Sequence, residues 1–192
     1  MDGELCQLLE RPVRRPRPVP GPDRAQAQAR PSVKGGSTVT TPNPTSTAVL
    51  RITRTFPASR DRVFEAFTRP ELLRQWWGPA GFSLPQAELE LRVGGGYRFA
   101  MQPPQGDVIY LRGVFKEIER PSRLAYTWVW EAMPAVETLV TIEFHEAEGD
   151  TEVVLTQEPF KMADDVARHD QGWRGGFDKL ERILRRKTDG KA

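Results

Sequence analysis

From residue 48 onward the apolar and polar positions change rhythm several times, and each change marks an element. Leu50, Ile52 and Phe56 alternate with polar neighbours, and Arg54 falls in the same register, so the first stretch reads as a strand with one buried face. Pro57 ends it, because proline cannot donate to a ladder and turns its neighbour away from helix. Ser59 stands at an N-cap position with Asp61 in the first turn, and Val63, Phe64 and Phe67 form a helical stripe. Pro70 opens a second short helix, carrying Leu72, Leu73, Trp76 and Trp77 at helical spacing into a Gly78-Pro79 turn.

After Phe82 the period becomes two. Leu84, Leu89 and Leu91 lead into Gly94-Gly95-Gly96, which predicts a turn, and Tyr97, Phe99 and Met101 alternate beyond it. A strand is expected over about 108–118, with Ile109, Leu111 and Phe115 on one face. The next places Leu124, Tyr126, Trp128 and Trp130 on a single face. Val140, Ile142 and Phe144, then Val153, Leu155 and Gln157, mark two more strands joined at Gly149-Asp150. Alternation of this kind is what an antiparallel sheet with one wet face requires.

The last rhythm is helical. Val166, Trp173, Phe177, Leu180 and Leu184 make the stripe of one long amphipathic helix. Gly172, Gly175 and Gly176 interrupt it at up to ~1 kcal/mol each relative to alanine. They imply close approach of the helix to the sheet, or room kept for a ligand. Six or seven strands, two short helices after the first strand and a terminal helix make an α+β domain over 48–186.

Composition separates this domain from residues 1–47. That stretch holds eight of the 17 prolines and no aromatic residue. It also carries seven Lys/Arg against four Asp/Glu, so the net charge of +2 divides into +3 there and −1 in the remainder. A nucleic-acid role built on overall charge therefore loses its support. Residues 1–47 read as a disordered basic Pro-rich tail, with 11–22 suited to an extended polyproline ligand, or as a stretch ahead of the true start. Residues 187–192 are expected to be disordered as well. No apolar run approaches the ~20 residues of a membrane span, and a cytoplasmic protein is the default expectation. The lone Cys6 allows no internal disulfide. His145, His169 and that cysteine cannot close a zinc site without carboxylates, so no metal or other cofactor is expected.

Several local sequences occur together in a telling order: Phe56-Pro57-Ala58-Ser59 after the first strand, Trp76-Trp77-Gly78-Pro79, Leu91 to Tyr97, and His169 with Gly172-Trp173 on the last helix. In this order and spacing the chain, over about 48–186, resembles the SRPBCC-type helix-grip domains. The branch is the one related to the C-terminal domain of the heat-shock protein 90 ATPase activators. The resemblance implies a curved antiparallel sheet wrapped around the long C-terminal helix, with an apolar cavity between them. It also implies which residues would face that cavity. Tyr126, Trp128, Trp130, Trp173 and Phe177 are candidates for its wall, and Trp76 and Trp77 for its mouth. Arg54, Tyr97, Tyr126 and His169 could supply polar contacts to a ligand.

Three functions fit such a domain. The first is non-catalytic binding or sensing of a small apolar molecule, a lipid or aromatic metabolite. The second is regulation of a chaperone ATPase, although residues 1–47 could not supply the second domain those activators carry. The third is a cyclase- or hydrolase-like enzyme using His169, Glu88 or Glu90, for which no nucleophile-and-base motif is present. Burying ~300 Å² of ligand apolar surface contributes roughly 7 kcal/mol. Association costs at least ~4 kcal/mol, so tight binding would need polar contacts as well.

Overall fold

A computed structural model describes residues 48–188. Residues 1–47 and 189–192 lie outside the described residues, and so do the expectations attached to the basic tail and the extreme C-terminus.

The elements follow in the order β1 (Ala48–Phe56), α1 (Arg60–Thr68), α2 (Pro70–Trp76), β2 (Ser83–Leu89), β3 (Gly96–Gln102), β4 (Ile109–Glu119), β5 (Arg123–Trp130), β6 (Glu137–Ala147), β7 (Asp150–Phe160) and α3 (Ala163–Thr188). The seven strands form one antiparallel sheet in the order β1-β7-β6-β5-β4-β3-β2. From β2 to β7 each strand pairs with its neighbour in sequence, whereas β1 pairs across the sheet with β7. Register shifts in β1, β2 and β4 bend the sheet. All three helices contribute to one core: α2 packs on β2 and α3, α1 on β6 and β7, and α3 on β1 and β7. This is the helix-grip arrangement.

The apolar patterning accounts for the core. Leu50, Ile52 and Phe56 of β1 are buried, as are Leu124, Tyr126 and Trp128 of β5, Val140, Ile142 and Phe144 of β6, and Val153 and Leu155 of β7. From α3 come Trp173, Phe177, Leu180 and Leu184, also buried. The glycine turn is present, with Gly94 at φ +77° and its N–H donating to the Phe115 carbonyl at 2.8 Å. Two details differ from the sequence reading. Ser59 occupies the N-cap of α1, but its side chain makes no capping hydrogen bond. The backbone of α3 continues to Thr188, two residues past the expected end of the domain.

Candidate functional site

The site is assembled where α3 crosses β3–β5 beneath the turn that follows α2. Trp76 ends α2, and its Nε1 donates to the Ala66 carbonyl of α1 at 2.9 Å, which pins the two short helices together. Trp77 caps α2, and the chain then turns through Gly78 and Pro79 over the face of α3. Lys179 of α3 fastens this turn. Its Nζ donates to the carbonyls of Trp77 (3.1 Å), Pro79 (3.1 Å) and Phe82 (3.2 Å). Burial, with the charge of Arg182 adding, lowers the Lys179 ammonium to about 8, so it carries its proton at neutral pH.

Between the turn, the sheet and the helix lies a half-open apolar cavity of ≈ 60 Å³. Trp76, Trp77, Gly78 and Pro79 form one wall; Met101, Ile109, Trp128 and Trp130 form the sheet side. The helix side is Arg168, His169, Gly172, Trp173 and Gly176, with Met133 closing in from the β5–β6 connection. All five tryptophans of the chain line this one space. Trp77 and Trp128 stack at 5.8 Å, and Trp173 meets Trp77 edge-on at 5.2 Å.

The three helix glycines divide their tasks. A Cβ on Gly175 would lie 2.8 Å from the Ala80 nitrogen, so α3 can approach the turn this closely only with glycine there. Gly172 and Gly176 are cavity walls, and a Cβ at either would make only ordinary contacts, 3.6 Å to Pro79 and 3.4 Å to the Gly78 carbonyl. The close approach expected between helix and sheet is instead one between helix and turn, at Gly175.

Of the ten residues singled out in the sequence, six line the cavity: Trp76, Trp77, Trp128, Trp130, His169 and Trp173. Four lie elsewhere. Arg54 shares the buried-side register of β1, but its guanidinium turns to α3, pairing with Asp178 at 2.6 Å and with Glu181. It bridges strand to helix and is not among the cavity-lining residues. Tyr97 donates to the Thr127 carbonyl at 2.7 Å, and burial pushes its phenol well up. Tyr126 sits edge-on to Tyr97, its hydroxyl has no partner among the described residues, and burial raises its pKa too. Phe177 lies one turn beyond Trp173, among Phe56, Phe67 and Trp76.

His169 has both ring nitrogens engaged. Nδ1 lies 2.8 Å from the Asp165 carbonyl, which can only accept, so Nδ1 carries the proton. Nε2 then accepts from Trp130 Nε1–H at 3.4 Å. Burial lowers its pKa, Asp165 acts in the opposite direction, and Arg168 adds to the lowering. The ring is therefore neutral at pH 7. Trp173 is held just as firmly: its Nε1 donates to Gln157 Oε1 at 2.8 Å, and Gln157 Nε2 donates to Thr138 Oγ1 at 2.9 Å.

Lys179, Arg168 and Gln157 carry no role in the sequence reading. Gln157 left a visible signal, a polar residue at an inward position after Val153 and Leu155. Lys179 and Arg168 left none, because a charged residue on an amphipathic helix reads as solvated. Among the described residues no cluster of three His, Cys, Asp or Glu could hold a metal, and no helix is long and apolar enough to cross a membrane.

Residues 57–185 match the family described as Activator of Hsp90 ATPase homolog 1-like protein. The chain belongs to this family. Solved structures agree. The AHSA1 protein of Silicibacter pomeroyi is 25% identical over 73% of this chain and 99% of its own, with a TM-score of 0.66. A Nitrosomonas europaea protein is 25% identical over 73% and 96%, with a TM-score of 0.64. A Rhizobium leguminosarum protein is 29% identical over 72% and 95%, with a TM-score of 0.60. No curated protein matches the sequence.

Proposed function

We propose that this domain binds a small apolar molecule, without chemically changing it, in the space between α3, β3–β5 and the Trp76–Pro79 turn. One observation carries the reading: five tryptophans from three separate parts of the chain converge on a single cavity that they do not fill. Aromatic walls of this kind suit apolar ligands. The two cavity glycines point the same way, since each forgoes up to ~1 kcal/mol of helix stability where a methyl group would fit.

Size sets the ligand class. An apolar cavity of ~150 Å³ accepts benzene. At ≈ 60 Å³ this one takes a smaller group, or the end of a longer molecule whose remainder leaves through the open side. A larger body requires the tryptophans to part. His169 argues for binding over acid–base catalysis, because its proton is committed to Asp165 and its lone pair to Trp130. Native mass spectrometry of the protein purified from its own cells tests the proposal. A bound small molecule that leaves on organic extraction is the expected result. A bare mass, together with no binding in a screen of lipids and small aromatic compounds, would refute it.

A further inference from the structure

Four of the six exposed large apolar side chains among the described residues gather at one end of the sheet: Val49, Val136, Leu139 and Met162. The strand registers bring them together. Leu139, near the start of β6, faces Glu158 near the end of β7, and Phe160 of β7 faces Ala48, the first residue of β1. Met162 follows just ahead of α3. The same end carries exposed carboxylates, Glu137, Glu158 and Asp164, with Asp107 in the β3–β4 connection. None of these four forms an ion pair among the described residues, whereas Glu131 and Asp165 are neutralised by Arg98 and Arg168. Lys161 is the only lysine or arginine in residues 103–108, 131–139 and 158–165, the segments that meet here.

Exposed apolar side chains set beside unpaired carboxylates match a partner that carries both cations and small apolar groups. This chain contains one. Residues 11–22 (RPVRRPRPVPGP) hold four arginines, two valines and five prolines, and no acid. They belong to the 47 residues that precede Ala48, and so join the domain at this same end. The 25 residues between, at up to ~3.3 Å each, are enough to reach any point on a domain of this size. Tethering also raises the local concentration toward the millimolar range, where weak contacts form. We infer that residues 11–22 dock within the same chain on the surface formed by Val136, Leu139 and Met162 with Glu137, Glu158 and Asp164. Trp130, Met133 and His169, which stands against Phe160 at 4.9 Å, bring the cavity to this end too, so the docked segment is its neighbour.

The test uses the full chain with a nitroxide attached to Cys6, its only cysteine, which stands five residues before Arg11. Backbone amide signals of the ¹⁵N-labelled protein are compared with the nitroxide oxidised and reduced. At low salt the amides of Val136, Leu139 and Met162 should broaden, while that of Gly149, in the β6–β7 hairpin at the opposite end, should not. At about 1 M salt, where the screening length falls to ~3 Å, the broadening should drop by about threefold or more. The variant Arg11→Ser/Arg14→Ser/Arg15→Ser/Arg17→Ser should abolish it, and Glu137→Gln/Glu158→Gln should reduce it by about half. Absence of localised broadening, or broadening that survives both salt and the serine variant, would overturn the docking. So would equal broadening in a mixture of nitroxide-bearing ¹⁴N chains with unmodified ¹⁵N chains, since that contact passes between molecules. Any of these failures leaves the ligand-binding reading standing.

Discussion

Gly175 and Ala80 touch with no room for a side chain between them: a Cβ on Gly175 would lie 2.8 Å from the Ala80 backbone nitrogen. That contact sets the height of the turn above α3, and so the depth of the cavity beneath it. Gly175→Ala must push backbone against backbone. Overpacking of this kind costs ~1–3 kcal/mol, set against ~1 kcal/mol gained in helix propensity. A net loss of about 1 kcal/mol in the urea midpoint analysis is expected. Gly172→Ala, whose Cβ meets only Pro79 at 3.6 Å, should gain up to ~1 kcal/mol in the same assay.

Lys179 fixes the same turn through three carbonyls. Lys179→Met keeps the apolar stem and removes all three bonds, at an expected cost of about 2 kcal/mol. Hydrogen exchange should also quicken at residues 77–82 while the β6–β7 ladder is unaffected. Uniform protection in the variant would show that the turn holds without the lysine.

The chain from Trp173 through Gln157 to Thr138 ties α3 to β7 and β6 inside the core. Gln157→Leu strands the buried Trp173 N–H, and the expected loss is ~1–3 kcal/mol. In the double variant with Trp173→Phe the losses should fall short of additive, since the second change removes the group the first left unpaired. Strict additivity would contradict the coupling.

His169 makes stability depend on acid. Its folded-state pKa lies below the ordinary 6.5, chiefly through burial. The unfolded chain therefore takes up the proton first as pH falls. Stability is at its full value above about pH 6.5 and is lost as pH falls through the lower folded value, with a slope of at most ~1.4 kcal/mol per pH unit. The unfolding free energy of the wild type minus that of His169→Gln should be flat from pH 7 to 8 and should fall between pH 6.5 and 5. A flat difference throughout would mean that the ring is not buried in its neutral form.

Periodicity made the faces of the strands legible but not the position along them. Tyr126, Trp128 and Trp130 share one face of β5, yet only the two tryptophans reach the cavity, because Tyr126 lies further back beside Tyr97 and Phe115. Arg54 shows the same limit. Its register on β1 was visible, but its partners Asp178 and Glu181 lie more than a hundred residues away on α3. Phe177 belongs to the same helical stripe as Trp173, and one turn of helix moves it from the cavity wall into solid core among Phe56 and Phe67. The sheet and helices were legible because each depends on local alternation. The polar anchoring of Trp173 through Gln157 to Thr138 was not, since it joins residues from three separate elements.

The most direct test of apolar binding compares the wild type with the Gly172→Ala/Gly176→Ala double variant in a xenon titration read by indole N–H shifts. Both added methyl groups project from walls of the ≈ 60 Å³ cavity and make no worse than ordinary contacts. The wild type should show saturable shifts spread over the lining tryptophans, and the double variant should remain folded and lose them. Shifts that persist undiminished when the cavity is narrowed, or a wild type that shows none, would contradict the account.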